Sequence, residues 1–202
     1  MLKRFFDLVF SSVGLLALSP FFLVIALLIK IDSAGPIFFR QVRVGRYLCP
    51  FRIHKFRTMV VNASDLGPSV TTAADLRVTR VGKILRKYKL DELPQLIDVF
   101  LGDMSLVGPR PEVPKYVDAY SDKDKTIIFS VKPGITDKAS IEFRNENELI
   151  ANSSDVESLY IEKILPIKLV YYRDYVETHS LWLDIKIILK TVWLIFPFNS
   201  NK

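Results

Sequence analysis

"LLALSPFFLVIALL", Leu15 to Leu28, is an apolar stretch with Pro20 near its middle, and its reading decides how the chain is built. It belongs to a longer run, Leu8 to Ile29, of 22 residues without a charge. As continuous helix that run is about 33 Å long at roughly 1.5 Å per residue, and a bilayer core is about 30 Å thick, so length permits a span. Charge argues the other way. Lys3 and Arg4 precede the run, and Lys30, Arg40, Arg43 and Arg46 follow it. Basic residues favour the cytoplasmic side, and both flanks carry them. Pro20 removes a backbone donor and clashes with the carbonyl four residues back, while Ser19 is placed to bond a freed carbonyl. A helix that enters one leaflet, breaks at Ser19–Pro20 and returns fits both facts. An ordinary kinked span with a short translocated tail is the competing reading. No A-x-A site closes the run, which counts against a cleaved signal peptide.

The remaining composition agrees with a membrane-associated protein. Half of the 202 residues are hydrophobic and 25% are charged, for a mean hydropathy of +0.23. The apolar residues gather near the two ends. Residues 1–34 read as a membrane-anchoring element and residues 35–202 as one further domain. A net charge of +6 favours polyanionic partners. Nucleic acid is disfavoured by the long apolar N-terminus, which leaves anionic membrane lipids and phosphorylated substrates. Cys49 is the only cysteine, and His54 and His179 lie too far apart for a short zinc motif. The eight glycines, at 14, 35, 45, 67, 82, 102, 108 and 134, allow neither a dinucleotide fingerprint nor a Walker A loop. Phosphate handling therefore falls to side chains and metal.

The pattern along the chain predicts an α+β fold, mainly α. Residues 36–59 alternate and are aromatic and β-branched, a hairpin turning near Gly45. Residues 60–78 read as a polar loop, 79–90 as a basic helix, and 91–102 as a second helix ending at Gly102. Pro111 opens a short helix over 112–120, and "KPGI", 132–135, suits a type II turn. The C-terminal third is helical with a break at Pro166. Its last helix, roughly 181–196, carries Leu181, Ile185, Ile188, Leu189, Val192 and Phe196 on one face, with Lys186 and Lys190 together on another. Trp182 and Trp193 suit the headgroup level of a membrane, although packing on the protein's own core explains the same pattern.

"KLDELPQ", Lys89 to Gln95, holds the strongest candidate chemistry. Asp91 stands where a helix begins, Glu92 follows, and Pro94 is tolerated in a first turn. A plain reading makes Asp91 an N-cap and Glu92 a first-turn acid. The functional reading starts from the same place. Flanking cations and the helix terminus are expected to depress the Asp91 pKa, giving an ionised nucleophile toward phosphorus. Glu92 is then an oxygen ligand for Mg²⁺. In "GPRP", Pro109 and Pro111 stiffen the chain on either side of Arg110, whose guanidinium suits bidentate phosphate recognition. A connecting loop is the bland alternative. "KFRTM" puts Lys55 and Arg57 on one strand face. Arg77, Arg80, Lys83, Arg86 and Lys87 read as cover for a headgroup surface.

In chain order, "LSPFF", "KFRTM", "RVTRVGKILRK", "LDELPQLIDVFLGDMSLVGPRPE" and "KPGIT" resemble the bacterial sugar transferases, the monotopic polyprenyl-phosphate phosphoglycosyl transferases. The match runs nearly the whole chain and looks like the short, catalytic-domain-only form. The resemblance implies a re-entrant N-terminal helix broken at Ser19–Pro20, on a bacterial inner membrane, with the catalytic domain on the cytoplasmic face. It implies that Asp91 attacks the β-phosphate of a UDP-sugar, releasing UMP, and that polyprenol phosphate (undecaprenol in most bacteria) then takes the phosphosugar. Such a ping-pong transfer is the first membrane step of glycoconjugate synthesis, for O-antigen, capsule, exopolysaccharide or glycoprotein glycans. Asp91 and Glu92 are implied to hold Mg²⁺, and Arg110, with Lys55 and Arg57, to bind phosphate. A second copy of the chain and downstream glycosyltransferases are compatible partners. The chain departs from the common pattern after "KPGIT": many members read Gly-Trp-Ala-Gln where Asp137, Lys138, Ala139 and Ser140 stand here. Tyr88 and Lys89 also replace the small hydroxyl residues often seen before "LDELPQ". These changes put the sugar, not the reaction, in question. A non-catalytic basic scaffold for glycan assembly is the alternative from another class.

Overall fold

The computed structural model describes residues 1–63, 75–143 and 156–195. It is mainly helical, with two small two-stranded sheets. Helix α1 runs from Leu2 to Asp32 as a single element with Pro20 inside it. The expected pair of helices separated at Ser19–Pro20 is therefore corrected to one helical run. Ser19 supplies part of the reason: its hydroxyl donates to the Leu16 carbonyl at 2.8 Å, the acceptor that Pro20 cannot bond. Packing supplies the rest. Asp7, Ser11, Ile25 and Ile29 are buried, with Gly14 against Leu96 and Phe22 against Phe56 between them. Those positions form one stripe along both sides of the proline. The other faces remain bare and apolar, among them Val13, Leu16, Leu23, Val24 and Leu27.

The predicted hairpin is present. Strands β1 (Phe38–Val44) and β2 (Pro50–Phe56) pair antiparallel, with Phe39 opposite Lys55 and Arg40 opposite His54. The predicted loop at 60–78 lies largely outside the described residues. Helix α2 (Arg80–Lys87) starts at Thr79, whose Oγ1 accepts from the Gly82 amide at 3.0 Å. The second helix begins later than expected. Lys89 takes a left-handed backbone, a 3-10 turn covers Leu90–Glu92, and α3 runs only from Gln95 to Leu101 before Gly102 caps it at φ 99°. Asp91 is thus on a tight turn between two helices rather than an α-helix N-cap.

Strand β3 (Ser105–Val107) follows, then α4 (Pro114–Val117), α5 (Asp122–Ile128) and β4 (Gly134–Thr136), which pairs parallel with β3. The type II turn expected at 132–135 does not form: Gly134 has no positive φ and starts β4 instead. A Cβ on Gly134 would lie 2.1 Å from the Gly108 amide nitrogen, so close backbone approach is what excludes a side chain there. Helices α6 (Lys138–Glu142), α7 (Val156–Leu159), α8 (Leu165–Thr178) and α9 (Leu181–Ile195) complete the described chain. The predicted break at Pro166 is corrected: a wide π-turn over Tyr160–Ile164 joins α7 to α8 without leaving helical backbone, and Pro166 sits in the first turn of α8. Helix α9 buries Asp184 and Ile187. Leu189 and Val192 of the predicted apolar face stay exposed, as do Trp182 and Trp193, while Leu181, Ile185 and Ile188 are half-buried, and Phe196 lies outside the described residues.

The core is divided among four clusters. The largest joins α4, α5 and α8 around Tyr116, Tyr120, Ile128, Leu165 and Tyr172. A second seats the C-terminal half of α1 on β2 and α2 through Ile25, Ile29, Phe56 and Leu85. The others hold β2 to α3 and β3, and β3 to α8 and α9.

Candidate active site

Two distant chain segments bring cations onto Glu92. Lys55, near the end of β2, donates from Nζ to Glu92 Oε1 at 2.8 Å. Arg110, just beyond β3, forks onto the same carboxylate, one nitrogen donating to Oε2 at 3.1 Å and the other to Oε1. Each approach has a local cause. His54 is buried, and Asp98 on α3 accepts from its backbone amide at 2.8 Å and meets its ring Nδ1 at 2.5 Å. That pair fixes β2 against α3, and with it Lys55 against Glu92. Arg110 is delivered by the parallel sheet: Gly108 N donates to Thr136 O at 3.1 Å and Gly134 N to Pro109 O at 3.0 Å, so its loop is clamped.

Asp91 contrasts with its neighbour. Among the described residues it makes no hydrogen bond and no ion pair, although Lys55, Arg86 and Lys89 act on it through space. Burial, and next the negative charge of Glu92, push its carboxyl above the ordinary carboxylate range against those three cations. The expected depression is corrected: flanking cations were legible, but burial and the adjacent acid outweigh them. Burial also pushes Glu92 upward, yet Arg110 and then Lys55 more than offset it and hold that carboxyl well below its usual value. Burial keeps the Lys55 amine below its ordinary value, with Glu92 opposing. The result is one acid neutralised by two cations beside one acid left unpaired.

Arg86 was read as headgroup cover and belongs here instead. Its Nε donates to Thr58 Oγ1 at 2.8 Å, and Asp91 is the charge that acts on it most strongly. Gly82 makes this possible, because α2 approaches so closely that a Cβ there would sit 2.1 Å from the Thr58 carbonyl oxygen. No sequence signal marks Arg86, since a chain reversal at Lys89 folds it back toward Asp91. Glu92 above all, and through space the buried Asp137 at the head of α6, push the Arg110 guanidinium upward against the effect of burial.

Arg57 is not part of the cluster. Its guanidinium donates to Ser33 O at 2.6 Å, Ser33 Oγ at 2.9 Å and Ala34 O at 2.6 Å. The expectation that it binds phosphate is corrected to a clamp on the end of α1, because both of its terminal nitrogens are engaged there. Arg57→Ala is expected to lower stability by about 2–4 kcal/mol, the scale of the charge-assisted hydrogen bonds lost with a buried guanidinium. Thermal unfolding of the detergent-solubilised protein measures it, and an undiminished melting temperature would return Arg57 to the anion-binding candidates. Ser19 and Pro20 likewise lie in α1 and not at this site.

Chemically, an unpaired carboxylate flanked by Lys55, Arg86 and Lys89, with Arg110 on the neighbouring Glu92, is arranged for attack on a polyanionic electrophile. A family model described as "Bacterial sugar transferase" matches residues 1–197. A UDP-N-acetylgalactosamine-undecaprenyl-phosphate N-acetylgalactosaminephosphotransferase from Aeromonas hydrophila is 38% identical over 95% of this chain and 43% of its own length. A UDP-glucose:undecaprenyl-phosphate glucose-1-phosphate transferase from Klebsiella pneumoniae is 40% identical over 98% of this chain and 41% of its own. A protein of the same description from Caulobacter vibrioides is 40% identical over 94% of this chain and 68% of its own. The chain thus spans about two fifths of the first two relatives.

Proposed function

Because the chain belongs to the bacterial sugar transferase family, we propose that it transfers a phosphosugar from a UDP-sugar to polyprenol phosphate through a covalent Asp91 intermediate. The observation that carries this reading is the unpaired Asp91 carboxylate beside Glu92, whose own charge is held by Lys55 and Arg110. An Asp91 oxygen attacks the β-phosphorus of the donor. The bond from that phosphorus to the bridging oxygen breaks, UMP leaves with the oxygen, and the phosphosugar stays as an acyl phosphate. A phosphate oxygen of polyprenol phosphate then attacks the same phosphorus, the acyl-phosphate bond breaks, and the carboxylate is restored. Two anionic substrates use one site in turn.

The surrounding cations do the binding. In the resting site Lys55 and Arg110 rest on Glu92, and donor diphosphate oxygens offer them alternative acceptors of the same charge. Arg86 keeps its terminal nitrogens for phosphate while Thr58 holds its Nε. Mg²⁺ belongs to the proposal, and the donor set fits it. Such an ion takes one or two protein carboxylates and completes its shell with water and substrate phosphate. Asp91 and Glu92 supply two adjacent carboxylates, and among the described residues no cluster of three or more His, Cys, Asp or Glu is present. Bound there, the ion would neutralise charge on the diphosphate.

Both ends of α1 touch the same body. Lys3 reaches Asp184, and Asp32 accepts from the Val81 amide at 2.9 Å. That supports a helix immersed in one leaflet with the site at the headgroup plane of the inner membrane, on the cytoplasmic face. A cysteine at position 2 is expected to react with a membrane-impermeant maleimide from the cytoplasmic side alone; periplasmic labelling would restore the span. The initiating step of a glycan pathway is the role this chemistry fits.

Intact-mass measurement tests the reaction. Detergent-solubilised protein incubated with Mg²⁺ and a panel of UDP-sugars is expected to gain one phosphosugar with its own donor, and UMP release across the panel identifies the sugar. A chain that acquires no adduct from any of them would be a scaffold.

A further inference from the structure

Strand β3 has one partner strand, β4, and its other edge is not left open. The first two turns of α1 cover it with side chains. Asp7 Oδ1 accepts from the Leu106 amide at 3.0 Å and from the Ser105 hydroxyl at 3.1 Å. Lys3 Nζ donates to the Val107 carbonyl at 3.1 Å and to Asp184 Oδ2 at 2.5 Å. Tyr175, from α8, brings its hydroxyl to 3.0 Å from that same carbonyl and 2.8 Å from Asp184 Oδ1. Asp7, Ser105, Val107, Tyr175 and Asp184 are all buried. Next to Lys3, Arg4 donates to the Val99 and Phe100 carbonyls at 2.6 and 2.9 Å, which caps the end of α3.

A membrane anchor needs none of this. Charged and polar side chains in the first turns of an apolar helix are costly to bury unless each finds a partner, and here all the partners but Asp184 lie on β3 and α3, which lead to the site. Val107 is two residues from Pro109 and three from Arg110, and the Gly108–Gly134 contact leaves no slack between them. We propose that Asp7 and Lys3 are positioning residues for Arg110: α1 supplies the missing edge of β3, so the anchoring helix is part of the active-site scaffold. The inference rests on the reading of Arg110 as a ligand of the donor diphosphate.

The test uses the full chain in nanodiscs, with UDP and Mg²⁺ as the probe and hydrogen exchange of residues 105–110 as a second readout. Asp7→Asn keeps an acceptor oxygen, while Asp7→Ala leaves the Leu106 amide and Ser105 hydroxyl without one. In Asp7→Ala, exchange over 105–110 is expected to speed up and UDP to bind about tenfold more weakly, the scale of one lost buried hydrogen bond. Asp7→Asn is expected to stay near wild type in both. With Arg110→Ala in the background, Asp7→Ala is expected to weaken UDP no further, because the two changes act through one group. A purely structural Asp7 would give additive losses. Additive losses, or unchanged exchange over 105–110, would overturn the proposal. Wild-type protein that fails to bind UDP would instead remove the diphosphate reading, and the exchange measurement alone would then decide whether Asp7 holds the strand.

Discussion

Asp91→Asn is expected to abolish the phosphosugar adduct and reduce turnover by about 10⁴-fold or more, the scale seen when a covalent nucleophile is removed. Stability is expected to move the other way or not at all. Asn has nearly the same shape, and Asp91 breaks no hydrogen bond or ion pair among the described residues when its charge is lost. Neutralising it also removes a carboxylate that burial and Glu92 already disfavour. The signature is therefore a protein that melts at or above the wild-type temperature and does no chemistry. Intact mass with UDP-sugars and a thermal melt measure the two halves. Turnover that survives the substitution would end the covalent mechanism, while lost turnover with a much lower melting temperature would make Asp91 a structural acid.

Arg110→Ala is expected to lower kcat/KM for the UDP-sugar by about 10²–10³-fold, the range for losing one preorganised group that stabilises transition-state charge. Arg110→Lys is expected to recover no more than about tenfold of that loss, since a lysine restores the charge without the planar fork. The fork is visible in the resting site, where both terminal nitrogens meet the two oxygens of Glu92. Membrane association is expected to be unchanged, because α1 carries a long bare apolar face, joined by exposed residues of α9, and Arg110 lies on neither helix. Liposome flotation and steady-state kinetics check the pair of outcomes. Full activity in the alanine variant would leave Lys55 and Arg86 as the phosphate ligands.

Much of the local structure was legible in the residues. The alternation of 36–59 marked the hairpin, Thr79 and Gly102 marked the two helix ends, and Ser19 stood ready to serve the carbonyl that Pro20 releases. Misreadings cluster where two backbones meet. "KPGI" has the residues of a type II turn, but Gly134 is there because Gly108 presses against it. "DELPQLIDVFLG" has the period of one long helix, yet left-handed Lys89 and Pro94 divide it into a 3-10 turn and a shorter helix. Arg57 and Arg86 exchanged roles for the same reason. The spacing of "KFRTM" gives both of its cations one face, while the end of α1 captures Arg57 and the reversal at Lys89 turns Arg86 toward Asp91.

By itself, then, the chain order determined the apolar anchor, the hairpin, the family and the acids and bases available for chemistry, since periodicity, caps and motif spacing are properties of neighbours in sequence. Tertiary packing decided which of those groups meet. Glu92 takes its partners from residues 37 positions before it and 18 after it, and that choice leaves Asp91 unpaired. The same packing lays α1 along the domain from Lys3 to Asp32. Long-range ion pairing and burial depend on how faces dock, and no local pattern encodes that.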